Sequence, residues 1–278
     1  MLDLIANCRC DCQPGRFPPT TIRHSAKELT ELTQHMTSTG SEIILYYLGK
    51  VSEYLGAGPL LEHHAELKHD KQLIAEIEEA VKGVDSFKQQ FDSVYDFRLF
   101  RVLLYTLVRD LKPEVMVETG VMHGLSSKFI LAALRKNKKG RLVSVDLPSY
   151  FEDGPANKDG YNYTLPKGKK SGWILNDADK KHWELVLGAS TEVLPKVFEK
   201  HPQIDLFMHD SEHTYATMWQ ELAMGWEHLR AGGVLICDNI ESNSAFFDFC
   251  RRVDRQPMLF PVPDHEAAWQ VRFALIRK

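Results

Sequence analysis

The chain has 278 residues, of which 44% are hydrophobic and 26% charged, enough to bury a core as one large domain or as one domain with a helical extension. The chain has 34 Lys and Arg against 38 Asp and Glu, so it lacks the net positive charge that attracts nucleic acid. We therefore expect no nucleic-acid partner. No apolar stretch approaches the roughly 20 residues of a membrane helix. The first ten residues, MLDLIANCRC, have an acidic residue where a signal peptide has basic residues. We expect no membrane partner and a cytoplasmic location.

The N-terminal third predicts a flexible tail followed by helices. Residues 1–24 contain three closely spaced cysteines, Cys8, Cys10 and Cys12, which we interpret as reduced thiols in a loose tail, with a thiolate metal site as the alternative. Residues 25–112 follow a helical pattern and predict a helical extension without catalytic residues. Its last helix is the clearest, with apolar residues at three- and four-residue steps up to Leu111, and Pro113 ends it.

After Pro113 the sequence alternates short apolar runs with helical stretches. This alternation predicts an α/β, Rossmann-like domain over residues 113–278, with helices on both faces of a mostly parallel, seven-stranded sheet. The last two runs have only a short link between them, which predicts an antiparallel hairpin at a sheet edge. The predicted strands are VMVETG (115–120), RLVSVDLP (141–148), WELVLGAS (183–190), IDLFMHD (204–210), GVLICDN (233–239), MLFPVP (258–263) and WQVRFALIRK (269–278).

The turn after the first strand is typical of nucleotide binding. In ETGVMHGLSS (118–127), Gly120 and Gly124 allow a tight turn and a close backbone approach before a helix that starts near Leu125. The spacing departs from G-x-G-x-x-G and resembles motif I of class I S-adenosylmethionine (SAM) methyltransferases. Asp146 ends the second strand, where an acid can accept hydrogen bonds from a ribose diol. This pattern does not separate NAD from SAM, and a helix cap is the alternative role of Asp146.

Three later blocks carry a more specific resemblance. GASTEVLPKV (188–197), LFMHDSEH (206–213) and LRAGGVLICDNI (229–240) are similar, in this order, to metal-dependent O-methyltransferases of the catechol type. SGW (171–173), HDSEHTY (209–215) and GGVLICDNI look like the macrolide-sugar and cephalosporin-hydroxylase-like branch of that superfamily. The resemblance covers the chain from about Val115 to its end.

The resemblance implies a divalent cation, for which Mg²⁺ is the expectation, held by Asp210, Asp238 and Asn239. All three side chains offer the oxygen ligands that hard cations prefer. A turn with an Asx cap is the alternative for the Asp238-Asn239 pair. Many members of this branch have Asp-Asp at this position, so Asn239 lowers the negative charge of the site.

The same resemblance implies that His213 is the general base that takes the proton of an acceptor hydroxyl. We expect His213 to begin the helix through TYATMWQELAMGWEHL, although a capping or surface role is the alternative. The long segment from Ser149 to Asn176 is expected to be a mobile cover over cofactor and substrate. The cofactor contacts that the resemblance implies are Glu118, Gly120, Gly124 and Ser126 near the methionine end, Asp146 at the ribose, Ala189 and Ser190 near the adenine, and Asp210.

Together these features predict a SAM-dependent, metal-assisted O-methyltransferase. The expected acceptor is a hydroxyl of a small molecule, sugar-bearing or polyketide-like, and exposed apolar helices in the first third favour a homo-oligomer. Two other functions stay open: an NAD-dependent oxidoreductase and a non-catalytic SAM-binding protein. An iron hydroxylase has little support, because no 2-His-1-carboxylate triad is evident.

Overall fold

A computed structural model describes the chain at residues 40–85, 87, 98–147, 165–263 and 269–278. The predicted tail, with its three cysteines, lies outside these residues. The stretch from Gly40 to Lys278 forms one compact unit. No helix within the described ranges is long and apolar enough to cross a membrane.

The described part of the predicted extension is helical. Asp70 begins one helix by accepting the backbone N–H of Leu73 at 3.0 Å, and Lys112, in the left-handed conformation, ends another. Side chains of these helices share one apolar cluster with strand residues such as Met116. The boundary at residue 112 stays a prediction. The helices are α1 (Gly40–Leu55), α2 (Leu60–Lys68), α3 (Lys71–Val81) and α4 (Leu99–Leu111).

Within the described residues, seven strands form one sheet in the order β3-β2-β1-β4-β5-β7-β6. The first five strands pair in parallel, and β7 is antiparallel to both β5 and β6. This confirms the predicted fold, including the C-terminal hairpin at a sheet edge. The strands are β1 (Val115–Thr119), β2 (Arg141–Asp146), β3 (Trp183–Leu187), β4 (Ile204–His209), β5 (Leu229–Cys237), β6 (Met258–Pro263) and β7 (Trp269–Arg277).

Apolar side chains cover both faces of the sheet, which is why its central strands are nearly continuous apolar runs. In β4, Leu206 and Met208 join one core cluster, whereas Phe207 joins the other. The alternation follows from the two-residue period of a strand. The helices that accompany the strands are α5 (Leu125–Asn137), α6 (Asp177–Lys180), α7 (Ser190–Lys200), α8 (Tyr215–His228) and α9 (Ala245–Val253).

The strand order reverses at β1, which pairs with β2 on one side and with β4 on the other. Open sheets bind ligands outside the carboxyl ends of the strands at such a reversal. The ends of β1, β2, β4 and β5 therefore define where the candidate site lies.

Candidate active site

The turn after β1 needs glycine for two physical reasons. Gly120 has a φ of +85°, and a Cβ added there would lie 1.8 Å from the backbone oxygen of Asp210. Gly124 precedes α5 with a φ of +87°, and its added Cβ would lie 2.8 Å from the Cα of Gly172. Both glycines thus combine a left-handed conformation with a close backbone approach, as the sequence predicted. The turn brings β1, β4 and the segment at Gly172 together.

Glu118 lies at the end of β1, fully buried. The hydroxyls of Ser127 and Ser144 donate to its Oε1 at 2.5 and 2.6 Å, whereas Oε2 has no hydrogen-bond partner in the described part of the chain. Burial raises the pKa of Glu118 to about 7. Its second oxygen thus lacks a protein partner within the described ranges, and the cofactor contact of Glu118 stays a prediction.

Asp146 lies beside the same turn. Its Oδ1 accepts the backbone N–H of Val121 at 3.0 Å, and the hydroxyl of Ser171 donates to Oδ2. Burial raises the pKa of Asp146 above its usual value. Each carboxylate oxygen can accept a further hydrogen bond, so the predicted ribose contact stays compatible with these bonds. Asp146 also holds the turn in place.

The segment Ser171–Trp173 packs over the glycine turn. The backbone N–H of Gly172 donates to Met122 at 2.8 Å, and the indole N–H of Trp173 donates to His123 Nδ1 at 2.7 Å. Burial lowers the pKa of His123 to about 4, so the ring is neutral and can accept this bond. Part of the segment predicted to be a mobile cover thus packs on the glycine turn, and its role as a cover stays a prediction. Residues 149–164 of this segment lie outside the described residues.

The remaining predicted cofactor residues lie at the starts of two helices. Ser126 is half-buried in the first turn of α5, and Ala189 directly precedes α7. Ser190 begins α7, and its hydroxyl is hydrogen-bonded to Glu221. The side chain of Ser190 therefore already has a partner inside the protein. Contacts of these three residues with a cofactor stay predictions.

Two carboxyl groups face each other across the ends of β4 and β5. Asp210 and Asp238 follow these strands, and the backbone N–H of Asp238 donates to His209 at 2.9 Å. Their side chains are hydrogen-bonded to each other. Burial, and next the charge of Asp238, raises the pKa of Asp210 well above its usual value; burial also raises the pKa of Asp238. Two carboxyl groups this close either retain a proton or are stabilised as carboxylates by a nearby cation.

Asn239, the third predicted ligand, is buried beside this pair and has a φ of +49°. Asn adopts this left-handed conformation more readily than most residues. Among the residues that the structure describes, no group of three His, Cys, Asp or Glu side chains is placed to hold a metal ion. The predicted set has two carboxyls and one amide, and the metal site stays a prediction.

His213 lies next to the acid pair. Its Nε2 is 3.9 Å from Oδ1 of Asp210, and its side chain is only 8% exposed. Our expectation that His213 begins the helix was wrong by two positions. The hydroxyl oxygen of Thr214 accepts the backbone N–H of Thr217, so Thr214 caps α8, which begins at Tyr215. The imidazole nonetheless reaches the carboxyl pair, as its predicted role requires.

Sequence reasoning missed two features of this site. Arg101, in the first turn of α4, lowers the pKa of both Asp210 and Asp238 by its positive charge. The only signal was a charged residue inside the apolar run LFRVLLYTL. The second feature is Glu221, a fully buried acid of α8 that no motif singled out.

Comparisons with known proteins agree with this geometry. A family model described as "Methyltransferase domain" matches residues 117–240. No curated protein matches the chain. Among solved structures, the O-methyltransferase from Bacillus cereus in complex with S-adenosylhomocysteine (SAH) is 12% identical, with a TM-score of 0.53 over 73% of this chain and 91% of that one.

Two further structures are similar to this chain at lower TM-scores. The SAH-bound methyltransferase of Podospora anserina is 16% identical, with a TM-score of 0.47 over 84% of this chain and 95% of that one. An O-methyltransferase of Streptomyces achromogenes involved in tomaymycin synthesis, solved with SAM, is 18% identical, with a TM-score of 0.49 over 75% of this chain and 90% of that one. The family model matches residues 117–240, which is less than half of the chain. The Bacillus structure shows the same fold, which agrees with the predicted α/β, Rossmann-like domain.

Proposed function

We propose that this protein, whose residues 117–240 match the methyltransferase family model, transfers the methyl group of SAM to a hydroxyl of a small molecule with the help of a divalent cation. One observation carries this proposal. The facing carboxyls of Asp210 and Asp238 and the imidazole of His213 meet beside the glycine turn at Gly120.

The turn and its surroundings fit SAM. Glu118 offers a buried carboxyl oxygen, and Asp146 lies beside the turn where a ribose would bind. The Bacillus structure with the same fold contains SAH, which supports this choice over NAD. Gly124, Ser126, Ala189 and Ser190 complete the proposed cofactor contacts.

The acid pair fits a divalent cation, for which we propose Mg²⁺. Asp210, Asp238 and Asn239 would hold it through oxygen atoms. The pKa values of both carboxyls are raised although Arg101, and for Asp238 also Arg272, lowers them. When bound, SAM supplies an activated methyl group, and the cation supplies charge that lowers the pKa of an acceptor hydroxyl.

His213 then acts as the general base. Its Nε2 lies 3.9 Å from Oδ1 of Asp210, close enough to take a proton from a hydroxyl bound at the acid pair. A bond forms between the acceptor oxygen and the methyl carbon while the bond from that carbon to sulfur breaks, and the hydroxyl proton passes to His213. The protein contributes alignment and charge stabilisation.

The acceptor that we propose is a small hydroxylated molecule, sugar-bearing or polyketide-like, because the SGW and HDSEHTY blocks resemble enzymes of that branch. The expected homo-oligomer agrees with the exposed apolar side chains of Leu45, Tyr46 and Leu61 on the first helices. The oligomer and a cytoplasmic location stay predictions.

Replacement of His213 by Ala tests the proposed base. We expect turnover to fall on the order of 10²–10⁴-fold, whereas the affinity for SAH, measured by calorimetry, stays within about twofold. The matched control is His69→Ala, at the exposed end of α2, which should leave both quantities unchanged. Equal losses of turnover and SAH affinity in His213→Ala would remove this residue from the base role.

Removal of divalent cations tests the metal separately. EDTA should abolish methyl transfer, and added Mg²⁺ should restore it, because the hydroxyl loses its charge-stabilising partner. Activity that is insensitive to EDTA would refute the metal while leaving the SAM assignment in place.

A further inference from the structure

A buried polar cluster lies directly behind the acid pair, with the carboxyl of Glu221 at its centre. His209 Nδ1 lies 2.6 Å from Glu221 Oε2, and both side chains are completely buried. The hydroxyl of Ser211 donates to Oε1 at 2.5 Å, and those of Thr119 and Ser190 also bond this carboxyl. These donors come from β1, β4, the loop after β4 and α7. One carboxyl of α8 thus joins four other segments of the site.

The hydrogen bonds keep Glu221 ionised. Burial alone would raise its pKa, but the neighbouring His209 and the hydrogen bonds lower it below the usual value. A carboxylate only accepts hydrogen bonds, so the proton of the bond with His209 resides on Nδ1. The orientation of the His209 ring is fixed in this way.

The cluster holds the chain on both sides of Asp210. His209 precedes Asp210, Ser211 follows it, and both bond the same carboxylate. Alternate residues of an extended chain point to opposite sides, so Asp210 is directed away from Glu221 and toward Asp238. The backbone oxygen of Asp210 is also confined by the close approach of Gly120.

The second edge of His209 meets the proposed base. The rings of His209 and His213 contact each other edge to face, with their centroids 5.5 Å apart. His209 Nε2 is buried without a hydrogen-bond partner in the described part of the chain. Burying a nitrogen without a hydrogen bond costs folding free energy. The placement of this nitrogen against His213 therefore indicates a role beyond packing.

We propose that Glu221 and His209 are positioning residues, which fix Asp210 through the two residues flanking it and fix the ring of His213 through the His209 contact. This inference rests on the proposed function, because it assigns a purpose to the placement of Asp210 and His213. Residues that hold a metal ligand in place commonly affect metal affinity 10–100-fold when they are changed. In this role Glu221 and His209 act through Asp210 and His213 and not directly on substrate or cofactor.

Glu221→Gln tests the proposal with a readout other than catalysis. The amide keeps the size of the side chain but cannot accept all of its donors. We expect Mn²⁺ affinity, measured by electron paramagnetic resonance with Mn²⁺ as the probe, to fall about 10–100-fold. SAH affinity should fall less than Mn²⁺ affinity, because Glu221 bonds the proposed cofactor contact Ser190, whereas Glu118 and Asp146 have other partners.

The matched control is Glu66→Gln, which breaks a partly buried carboxylate network with Arg109 and Tyr105 away from the site. It should lower stability without changing Mn²⁺ or SAH affinity. If Glu221→Gln does not fold, Ser211→Ala removes one donor only and should weaken Mn²⁺ binding about threefold. Unchanged Mn²⁺ affinity in the folded variant, or equal losses of Mn²⁺ and SAH affinity, would overturn the positioning role.

A wild-type protein that does not bind Mn²⁺ would refute the metal part of the proposed function. The positioning role would then be tested by a distance in crystal structures. In crystal structures of the wild type and of Glu221→Gln, the distance from His213 Nε2 to Asp210 Oδ1, now 3.9 Å, should widen only in the variant. An unchanged distance would overturn the inference by itself.

Discussion

The two halves of the site differ in the partners that their acidic side chains have. On the β1–β2 side, Glu118 and Asp146 receive hydroxyl and backbone hydrogen bonds from the chain itself. On the β4–β5 side, Asp210 and Asp238 face each other, and repulsion adds to burial in raising the pKa of Asp210. The first half is organised by neutral donors. In the second half, Arg101 only partly offsets the two acids, and a cation would add further positive charge.

This difference would allow one sheet edge to bind both the cofactor and the cation that we propose. The β1–β2 side, where we propose that the cofactor binds, is preformed, because its glycine turn and the segment at Gly172 already make their backbone contacts. On the β4–β5 side, the carboxyls of Asp210 and Asp238 are hydrogen-bonded to each other, and a bound cation would let both of them ionise. Gly120 lies at the boundary, where its turn approaches the backbone of Asp210.

Asp238→Asn should produce the largest effect and separate the two halves. We expect turnover to fall on the order of 10²–10³-fold, because the proposed cation loses a charged ligand, whereas SAH affinity persists. The metal-free variant should be more stable at pH 7 than the wild type by about 1 kcal/mol or more, because Asp210 loses its repulsive neighbour. Urea unfolding and turnover check this, with Asp248→Asn, a partly exposed acid of α9, as control. Lower stability together with full turnover would contradict the account.

Gly120→Ala should damage both halves at once. The new Cβ would lie 1.8 Å from the backbone oxygen of Asp210, so we expect a loss of about 3 kcal/mol or more in the free energy of unfolding. Gly56→Ala is the matched control, because Gly56 also has a positive φ but nothing lies within 4 Å of its added Cβ. That variant should cost about 1–2 kcal/mol. Equal costs would show that the close approach to Asp210 does not matter.

Glu118→Gln sharpens the comparison through pH. Folded Glu118 has a pKa of about 7 against 4.5 for its ordinary value, so the folded state binds more protons between these pH values. Its contribution to stability is complete below pH 4.5 and is lost as the pH rises through 7, by about 3 kcal/mol. The unfolding free energies of wild type and variant should therefore diverge across this window, since other groups cancel in the difference. Parallel profiles would show that Glu118 is not buried in this way.

Trp173→Phe should have the smallest effect and probes the cover of the cofactor half. The variant keeps an aromatic ring beside Phe87 but loses the N–H that donates to His123. One hydrogen bond is worth about 1 kcal/mol, so SAH affinity should fall about fivefold. Trp226→Phe, whose ring contacts Phe249, is the control and should leave SAH affinity unchanged. If both variants bind SAH like the wild type, the segment at Trp173 does not contribute to the cofactor half.

The sequence was sufficient to predict the strands, the hairpin and the glycine turn, because each depends on local residue patterns. Local patterns also caused the errors in boundaries. β5 begins at Leu229, before the predicted start at Gly233, because the chain pairs with Ile204 across an irregularity in the ladder. The start of α8 was misplaced because the cap at Thr214 forms only after the chain turns beyond β4.

Features that depend on distant segments were not predictable. Arg101 affects the acid pair only because α4 packs near it, and its sequence context is an apolar helix. The hydrogen-bond donors to Glu221 come from several separate elements, so no spacing along the chain reveals this cluster. The placement of His213 against Asp210 was predicted through a resemblance, and the structure brings these two residues together.

A crystal structure with SAH and Mn²⁺ tests the central claim most directly. We predict an anomalous Mn²⁺ peak within about 2.3 Å of carboxyl oxygens of both Asp210 and Asp238, with SAH on the turn at Gly120. Clear density for SAH without any Mn²⁺ peak between these two carboxyls would contradict the claim that a cation completes the site.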